Sequence, residues 1–362
     1  MNRISLFGRG SSRLAEFKRT WICPRLLASL IAVVFCGAVS AQESTGRVHA
    51  VIINGGMNKL MNHERYWNDC AFLYRTLRND LNFSKQDITL LISDGGEPGR
   101  DMLLADGSGF ATSPADLDGD GERDVWLPAT LDQVEASLTQ LAESLTPNDR
   151  LFLFMIDHGD FDNSLWQSYA WMWGGGRLYP THLAQLLDAF HVESMSLCLG
   201  LCRSGGFVDV LRRENLIIAT SCSEHEQSWA CADRPYDEFV FHWICAVAGH
   251  DPEGNPVYAD TDGDGHVSMA EAFDYASEHD QQEETPQYSS TPTSLGELWC
   301  LQQTSRNGIR ERKNESGTPP IHRYYDLQGR EIPMPHVMQR KSLKKINAKQ
   351  SSGHSPIIII KP

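Results

Sequence analysis

Residues 151–160 read Leu-Phe-Leu-Phe-Met-Ile-Asp-His-Gly-Asp. Six consecutive apolar residues make a strand that is apolar on both faces, the pattern of a central parallel strand covered by helices on each side. The run stops on Asp157-His158-Gly159, so an imidazole is set where the strand gives way to a loop. A second run of this kind spans residues 195–201, stops on Cys202 and is trailed by Ser204-Gly205-Gly206. If the two strands are neighbours, His158 and Cys202 meet in the crevice outside the carboxyl ends of the sheet, where open α/β folds carry their sites.

Working outward, buried strands are expected at residues 47–54, closed by Gly55-Gly56, at 88–92 and at 216–220. Helical spacing of Trp67, Cys70, Ala71, Leu73, Tyr74 and Leu77 predicts a helix over 66–81. Further helices are expected at 131–145, at 180–190 with Thr181 at its start, at 206–213 and at 239–247. Residues 97–128, rich in Gly, Asp and Pro, read as a long loop. The aromatic, Gly-rich segment 164–176 is either a surface hairpin or a substrate-facing loop. This alternation predicts a three-layer α/β/α sandwich around a mostly parallel sheet with right-handed crossovers.

A chain of 362 residues is long enough for one large α/β domain with appendages, and its formal net charge of -15 argues against nucleic acid as a partner. Residues 1–41 have the layout of a secretory signal peptide: basic residues, an apolar run at 26–35, then Val39-Ser40-Ala41 before Gln42. The run is short for a membrane anchor, and no other segment could span a bilayer. A secreted or cell-surface protein is expected, with the periplasm as the alternative. Cys23 and Cys36 leave with the signal, and the remaining seven cysteines are an odd number. With Cys202 kept as a free thiol, Cys222 and Cys231 are the first pair expected to form a disulfide. The main domain is expected over 45–302. At 303–362 basic clusters, Pro and Ser mark a linker and tail.

A thiol attacks a peptide carbonyl when a base raises its thiolate fraction and donors receive the oxyanion. Cys202 is the candidate nucleophile and His158 the acid/base. The N–H groups of Gly159 and Cys202 are candidate oxyanion donors, and Gly159, Gly205 and Gly206 let backbone approach a substrate. A nucleophile elbow on Ser204 is disfavoured because Cys202 stands where Gly is required. A zinc site on Cys198 and Cys202 lacks a second ligand pair.

Over residues 48–243 the sequence resembles the legumain-like cysteine peptidases of the caspase-like group. The likeness lies in Arg65, Asp69, Tyr74 and Leu77 at the start of the first helix, in residues 152–159 ending Asp-His-Gly, and in residues 195–205 around the Cys. It continues through Ile218-Ala219-Thr220 to Glu226-Gln227-Ser228-Trp229-Ala230-Cys231. The resemblance implies a caspase-like fold and an endopeptidase acting on peptide or protein substrates through Cys202 and His158, with Asn or Asp preferred at P1. It implies that Arg65 and Asp237 line the S1 pocket, with Gln227 and Ser228 beside it. Gly200 departs from the family, which has a Glu two residues before the nucleophile, and its loss is expected to leave Arg65 less neutralised. A transamidase and a catalytically silent, calcium-binding surface module are the alternatives.

Residues 260–271 fit an EF-hand loop at every key position. Calcium ligands are expected from Asp260, Asp262, Asp264, the His266 carbonyl, Ser268 and bidentate Glu271, with Gly265 at the turn. A weaker second loop offers Asp116, Asp118, Asp120 and Asp124, but Leu127 stands where Glu is needed, so a polar turn is the alternative. Tyr324-Tyr325-Asp326-Leu327-Gln328-Gly329-Arg330 and the Ile-rich end at 357–361 resemble the C-terminal sorting modules of Bacteroidetes-type exported proteins. That resemblance implies contact with a secretion machinery; the alternative is a disordered tail.

Overall fold

A computed structural model describes residues 46–303 and the backbone of two short strands, Tyr324–Tyr325 and Glu331–Ile332. The expected signal segment and most of the tail lie outside the described residues.

In chain order the elements are β1 (Val48–Asn54), α1 (Glu64–Arg75), β2 (Ile88–Ile92), β3 (Met102–Leu103), β4 (Phe110–Ala111), α2 (Leu131–Ser144) and β5 (Arg150–Ile156). Then follow β6 (Gly159–Asp162), β7 (Gln167–Trp171), β8 (Arg177–Leu178), α3 (Pro180–Leu187), β9 (Ser194–Gly200), α4 (Val208–Leu211) and β10 (Leu216–Thr220). The last are α5 (Glu238–Ala248), α6 (Met269–His279), β11 (Gln287–Thr291) and α7 (Thr293–Leu298). The main sheet has the order β11-β10-β9-β5-β1-β2, all parallel except β11, which runs antiparallel to β10. The chain therefore has the three-layer α/β/α architecture, with β5 and β9 side by side near the middle.

The uninterrupted apolar run of β5 has a direct physical reason. Phe152, Phe154 and Ile156 enter one core, with Tyr66 and Phe72 of α1 and Phe239 and Trp243 of α5. Leu151, Leu153 and Met155 enter the other, with Val134 and Leu138 of α2 and Leu183 and Leu187 of α3. Alternate residues of a strand point to opposite faces, so a strand covered on both sides must be apolar throughout. Phe152 stacks on Trp243, ring centroids 5.6 Å apart; truncating such a buried ring costs about 3–5 kcal/mol. Thr130 caps α2 by accepting from Gln133 N–H, and Gly249, in the left-handed region, ends α5.

Local departures from the expected elements are small. The first helix gives way after Arg75 to a wider π-type turn, Thr76–Asp80. The expected helix at 206–213 is a 3₁₀ turn, Ser204–Phe207, running into the single turn of α4. Pro180, not Thr181, opens α3, where its missing N–H costs nothing. The aromatic segment is folded into the small antiparallel sheet β6-β7-β8.

The Cys222–Cys231 disulfide does not form: all seven cysteines of the described residues are free thiols. Cys222 is buried with its thiol directed at the carbonyl oxygens of Leu201 and Glu226. Cys231 faces Glu238 instead. At the amino edge of the sheet the Gln303 side chain bonds both N–H and carbonyl of Val48, joining the last described residues to the first strand. Among the described residues no helix is long and apolar enough to cross a membrane.

Candidate active site

Strands β5 and β9 pair as far as Ile156 opposite Gly200, and Asp157 N–H still reaches the Gly200 carbonyl at 3.2 Å. Beyond that bond the chains part, so His158 and Cys202 each stand two residues past the last pair, at the carboxyl edge of adjacent parallel strands. Asp157 shapes the exit of β5. Its carboxylate is buried and accepts from the N–H of His158 at 2.6 Å and of Gly56 at 3.0 Å. That clamp ties the turn after β5 to the turn after β1.

The imidazole of His158 is held on one nitrogen. Nε2 lies 2.9 Å from the carbonyl oxygen of Met61, so it carries the proton in the neutral ring, and Nδ1 is the basic nitrogen. The rings of His63 and Tyr66 pack against it at 5.2 and 5.4 Å. Burial lowers the His158 pKa; the Met61 bond opposes this and nearby Arg65 adds to it. The Cys202 thiol is directed at the carbonyl oxygen of Ser228, 3.8 Å away, and the Gly159 N–H points at its sulfur. Burial raises the thiol pKa, so the resting pair is a neutral imidazole and a neutral thiol.

Gly159 is required by this packing. A Cβ there would lie 1.9 Å from the Cys202 carbonyl oxygen, so no other residue lets the two strand ends meet. Gly205 and Gly206 make close approaches of another kind, to the backbone of Ser223 and Glu224 and to the Ser168 side chain. Their smallness serves packing between loops. Arg203, in the left-handed region, turns the chain sharply after the thiol.

Arg65 and Asp237 come together across 172 residues of sequence. The Arg65 Nε lies 3.1 Å from each carboxylate oxygen of Asp237, its Nη2 donates to the Tyr66 hydroxyl at 3.0 Å, and its plane lies over the Tyr66 ring. Asp237 in turn donates its N–H to Asp69, which is wholly buried. Burial and the neighbouring Asp237 push the Asp69 pKa well up, so Asp69 holds a proton and Asp237 the charge that balances Arg65. Both carboxylate oxygens of Asp237 thus serve Arg65. Gly200 contributes nothing because it has no room; a Cβ would lie 2.3 Å from Val240 and 2.7 Å from Ile156. A cleft of about 640 Å³ opens beside Arg65, lined also by His63, Leu103, Ala230, Cys231 and Pro235. Ser228 is half-buried under the thiol, while Gln227 is exposed. Tyr66, Met61, Asp157 and Asp69 complete the site; of these Asp69 and Asp157 carried a signal in the sequence, through the resemblance.

The loop at 260–271 brings the carboxylates of Asp260, Asp262 and Asp264 together. Asp260 accepts from Gly263 and Gly265 N–H, and Asp264 from His266 N–H. Glu271 reaches back across the loop: one oxygen accepts from Thr261 and Asp262, the other from Ser268. Its pKa is held down at about 2 by these donors. An all-oxygen set of this kind suits a hard cation such as Ca²⁺. In the second loop Asp116, Asp118 and Asp120 converge likewise. Asp124 is turned to other work, accepting from Tyr74 and Leu117, while the Lys85 ammonium lies 3.0 Å from both Asp120 and Asp124.

A thiol and an imidazole at the ends of neighbouring parallel strands, in a three-layer sandwich, define the caspase-like class of cysteine peptidase fold. Residues 132–294 match the model of the Peptidase C13 family, which supports the legumain-like likeness over that stretch. The match begins at α2 and includes His158, Cys202 and Asp237, but not Arg65. Among solved structures the crystal structure of protein GSU0716 from Geobacter sulfurreducens is similar at 11% identity and a TM-score of 0.45, covering 72% of this chain and 100% of that one. No curated protein matches the chain.

Proposed function

We propose that this chain is a secreted, calcium-stabilised endopeptidase that cuts peptide bonds through Cys202 and His158 and accepts Asn or Asp at P1. The observation that carries the reading is the convergence of thiol and imidazole on one crevice, with Nε2 of His158 committed to Met61. His158 Nδ1 takes the thiol proton, the sulfur bonds to the scissile carbonyl carbon, and the oxyanion is received by Gly159 N–H and Cys202 N–H. The proton then passes to the leaving amine as the peptide C–N bond breaks. Water, losing its proton to His158, displaces the thiolate from the acyl-enzyme and releases the acid. Arg65 supports selection of an oxygen-bearing P1 side chain, since its planar fork suits a carboxylate or amide oxygen.

Asp260, Asp262, Asp264, the His266 carbonyl, Ser268 and Glu271 would hold calcium, which would tie the loop to the start of α6. Export rests on the layout of residues 1–41, and engagement of a secretion machinery on the tail motifs. The test is a peptide-library cleavage profile and labelling by a thiol-reactive peptide probe, each beside Cys202→Ala. Cleavage after Asn or Asp, lost in the variant, is expected. A protein that neither cuts nor is labelled under reducing, calcium-replete conditions is a silent binding module instead.

A further inference from the structure

Helices α5 and α6 pack against one another, and between them lies a group of side chains that the proposed peptide chemistry does not use. Glu238 and His242 stand one turn apart on α5, with His242 Nε2 3.5 Å from the Glu238 carboxylate. His279, in the last turn of α6, faces His242 with ring centroids 5.7 Å apart. The Cys231 thiol faces the same Glu238 carboxylate from the loop that precedes α5. The Glu238 side chain is buried; it accepts from Gln281 N–H at 3.2 Å, and its charge is felt at Asp280. Among the described residues no Lys or Arg pairs with it, and Arg234, which acts on His242, is held by both oxygens of Asp233. Buried carboxylates are paired with a cation or coordinate a metal.

We propose that Glu238, His242 and His279, with the Cys231 thiol as fourth ligand, form a zinc site between α5 and α6. Zinc bonds of about 2.1 Å at the tetrahedral angle set two ligand atoms about 3.4 Å apart. His242 Nε2 and the Glu238 oxygen are at that spacing, 3.5 Å, which is long for an N–H···O bond. His279 Nδ1 lies 2.8 Å from the Tyr275 carbonyl, so it carries the proton and leaves the Nε2 lone pair for a metal. Burial keeps His242 neutral near pH 7, although Glu238 pulls the other way. The exposed His279 ring closes on the shared point by pivoting about its Tyr275 bond, and the half-buried Cys231 thiol by turning its side chain. A mixed nitrogen, oxygen and sulfur set suits Zn²⁺ and not Ca²⁺. As the metal binds, the Cys231 S–H bond breaks, the sulfur keeps the electron pair, and the proton goes to solvent. The ion would tie the loop over 221–237, which carries Ser228, to both helices.

The experiment titrates the full chain with Co²⁺, whose visible absorption reports its geometry and whose bond to a thiolate adds a near-ultraviolet charge-transfer band. The chain carries Cys202→Ala, which removes the thiol of the crevice as a competing ligand, and calcium is present to fill the aspartate loops. A single tetrahedral Co²⁺ should bind, be displaced by Zn²⁺, and show a charge-transfer band that Cys231→Ser removes. His242→Ala and His279→Ala should each weaken binding by at least about tenfold, since loss even of a residue behind a ligand costs that much. His279 is exposed, so its variant tests the site without disturbing the core. No uptake of cobalt, or uptake with an octahedral spectrum only, overturns the inference. So does tetrahedral binding that both histidine variants leave unchanged. None of these readings needs catalysis, so the site stands or falls independently of the endopeptidase reading.

Discussion

The Nε2 atom of His158 is 2.9 Å from the carbonyl oxygen of Met61, a backbone atom that no side-chain substitution removes. The contact fixes the ring's tautomer and leaves Nδ1 as the proton acceptor. In the proposed mechanism His158 and Cys202 act as one unit, so Cys202→Ala and His158→Ala should each lower kcat/KM by at least about a thousandfold. Neither side chain is part of the two main cores, so both variants should melt within a few degrees of the wild type. Steady-state kinetics beside thermal melts check this; near-full activity in His158→Ala would remove the imidazole from the mechanism.

Arg65 and Asp237 are an ion pair in which the carboxylate is 6% and the guanidinium 21% exposed. Asp237→Asn leaves the guanidinium without its balancing charge, and breaking a buried pair in this way costs about 3–5 kcal/mol. Asp237→Asn should therefore lower Tm, and it should also weaken KM for Asn and Asp substrates. Arg65→Lys should lose most of the P1 preference, because an ammonium cannot reproduce the planar fork. Denaturant melts and P1 profiles on both variants test the pair. Unchanged stability in Asp237→Asn would show that Arg65 finds its charge balance elsewhere.

Calcium should raise Tm. A ligand present at a hundredfold excess over its Kd stabilises the folded state by about 2.7 kcal/mol. Glu271→Gln should abolish most of the shift, since that carboxylate spans the loop from Thr261 to Ser268. Variants of Asp118 should matter less, because the Lys85 ammonium already supplies a cation beside the second loop. Differential scanning calorimetry with calcium and with chelator reads this directly, and a Tm indifferent to calcium would refute the first loop.

Acid should destabilise the fold through neutral, half-buried histidines. His49, bonded to the Thr89 hydroxyl at 3.0 Å, has its pKa pushed down to about 4 by burial, and so does His63. The unfolded chain takes up these protons near pH 6.5 and the folded chain only near 4. Stability is therefore complete above about 6.5, falls as pH drops from there to about 4, and changes no further on their account below that. His49→Gln should flatten the slope of Tm against pH over this window, and an identical slope would assign it to other groups.

Legibility in the sequence followed burial. β5 and β9 were readable because strands covered on both faces are largely apolar, Ser194 and Ser196 of β9 excepted, and the site begins just past their carboxyl ends. β11 was not, since Gln287–Thr291 is polar and half-exposed, and only its antiparallel pairing with β10 makes it a strand. Arg65 and Asp237, 172 residues apart, were linked through the family likeness and not by any pattern of their own. The cysteine count suggested a disulfide that the fold leaves unmade, because burial of a thiol among carbonyl oxygens looks the same in sequence as a half-cystine. Tyr66 and Met61 carried no signal, as each acts through contacts that only folding creates.

The bond between Gln303 and Val48 has a practical meaning for anyone handling the protein. β1 runs from Val48 toward the crevice, so its start lies a full strand of seven residues, about 20 Å, from the edge that carries the thiol. Val48 and Gln303 therefore lie at the end of the sheet opposite the crevice. A tether or fluorescent label joined at residue 46 or 303 would leave from the side away from the thiol.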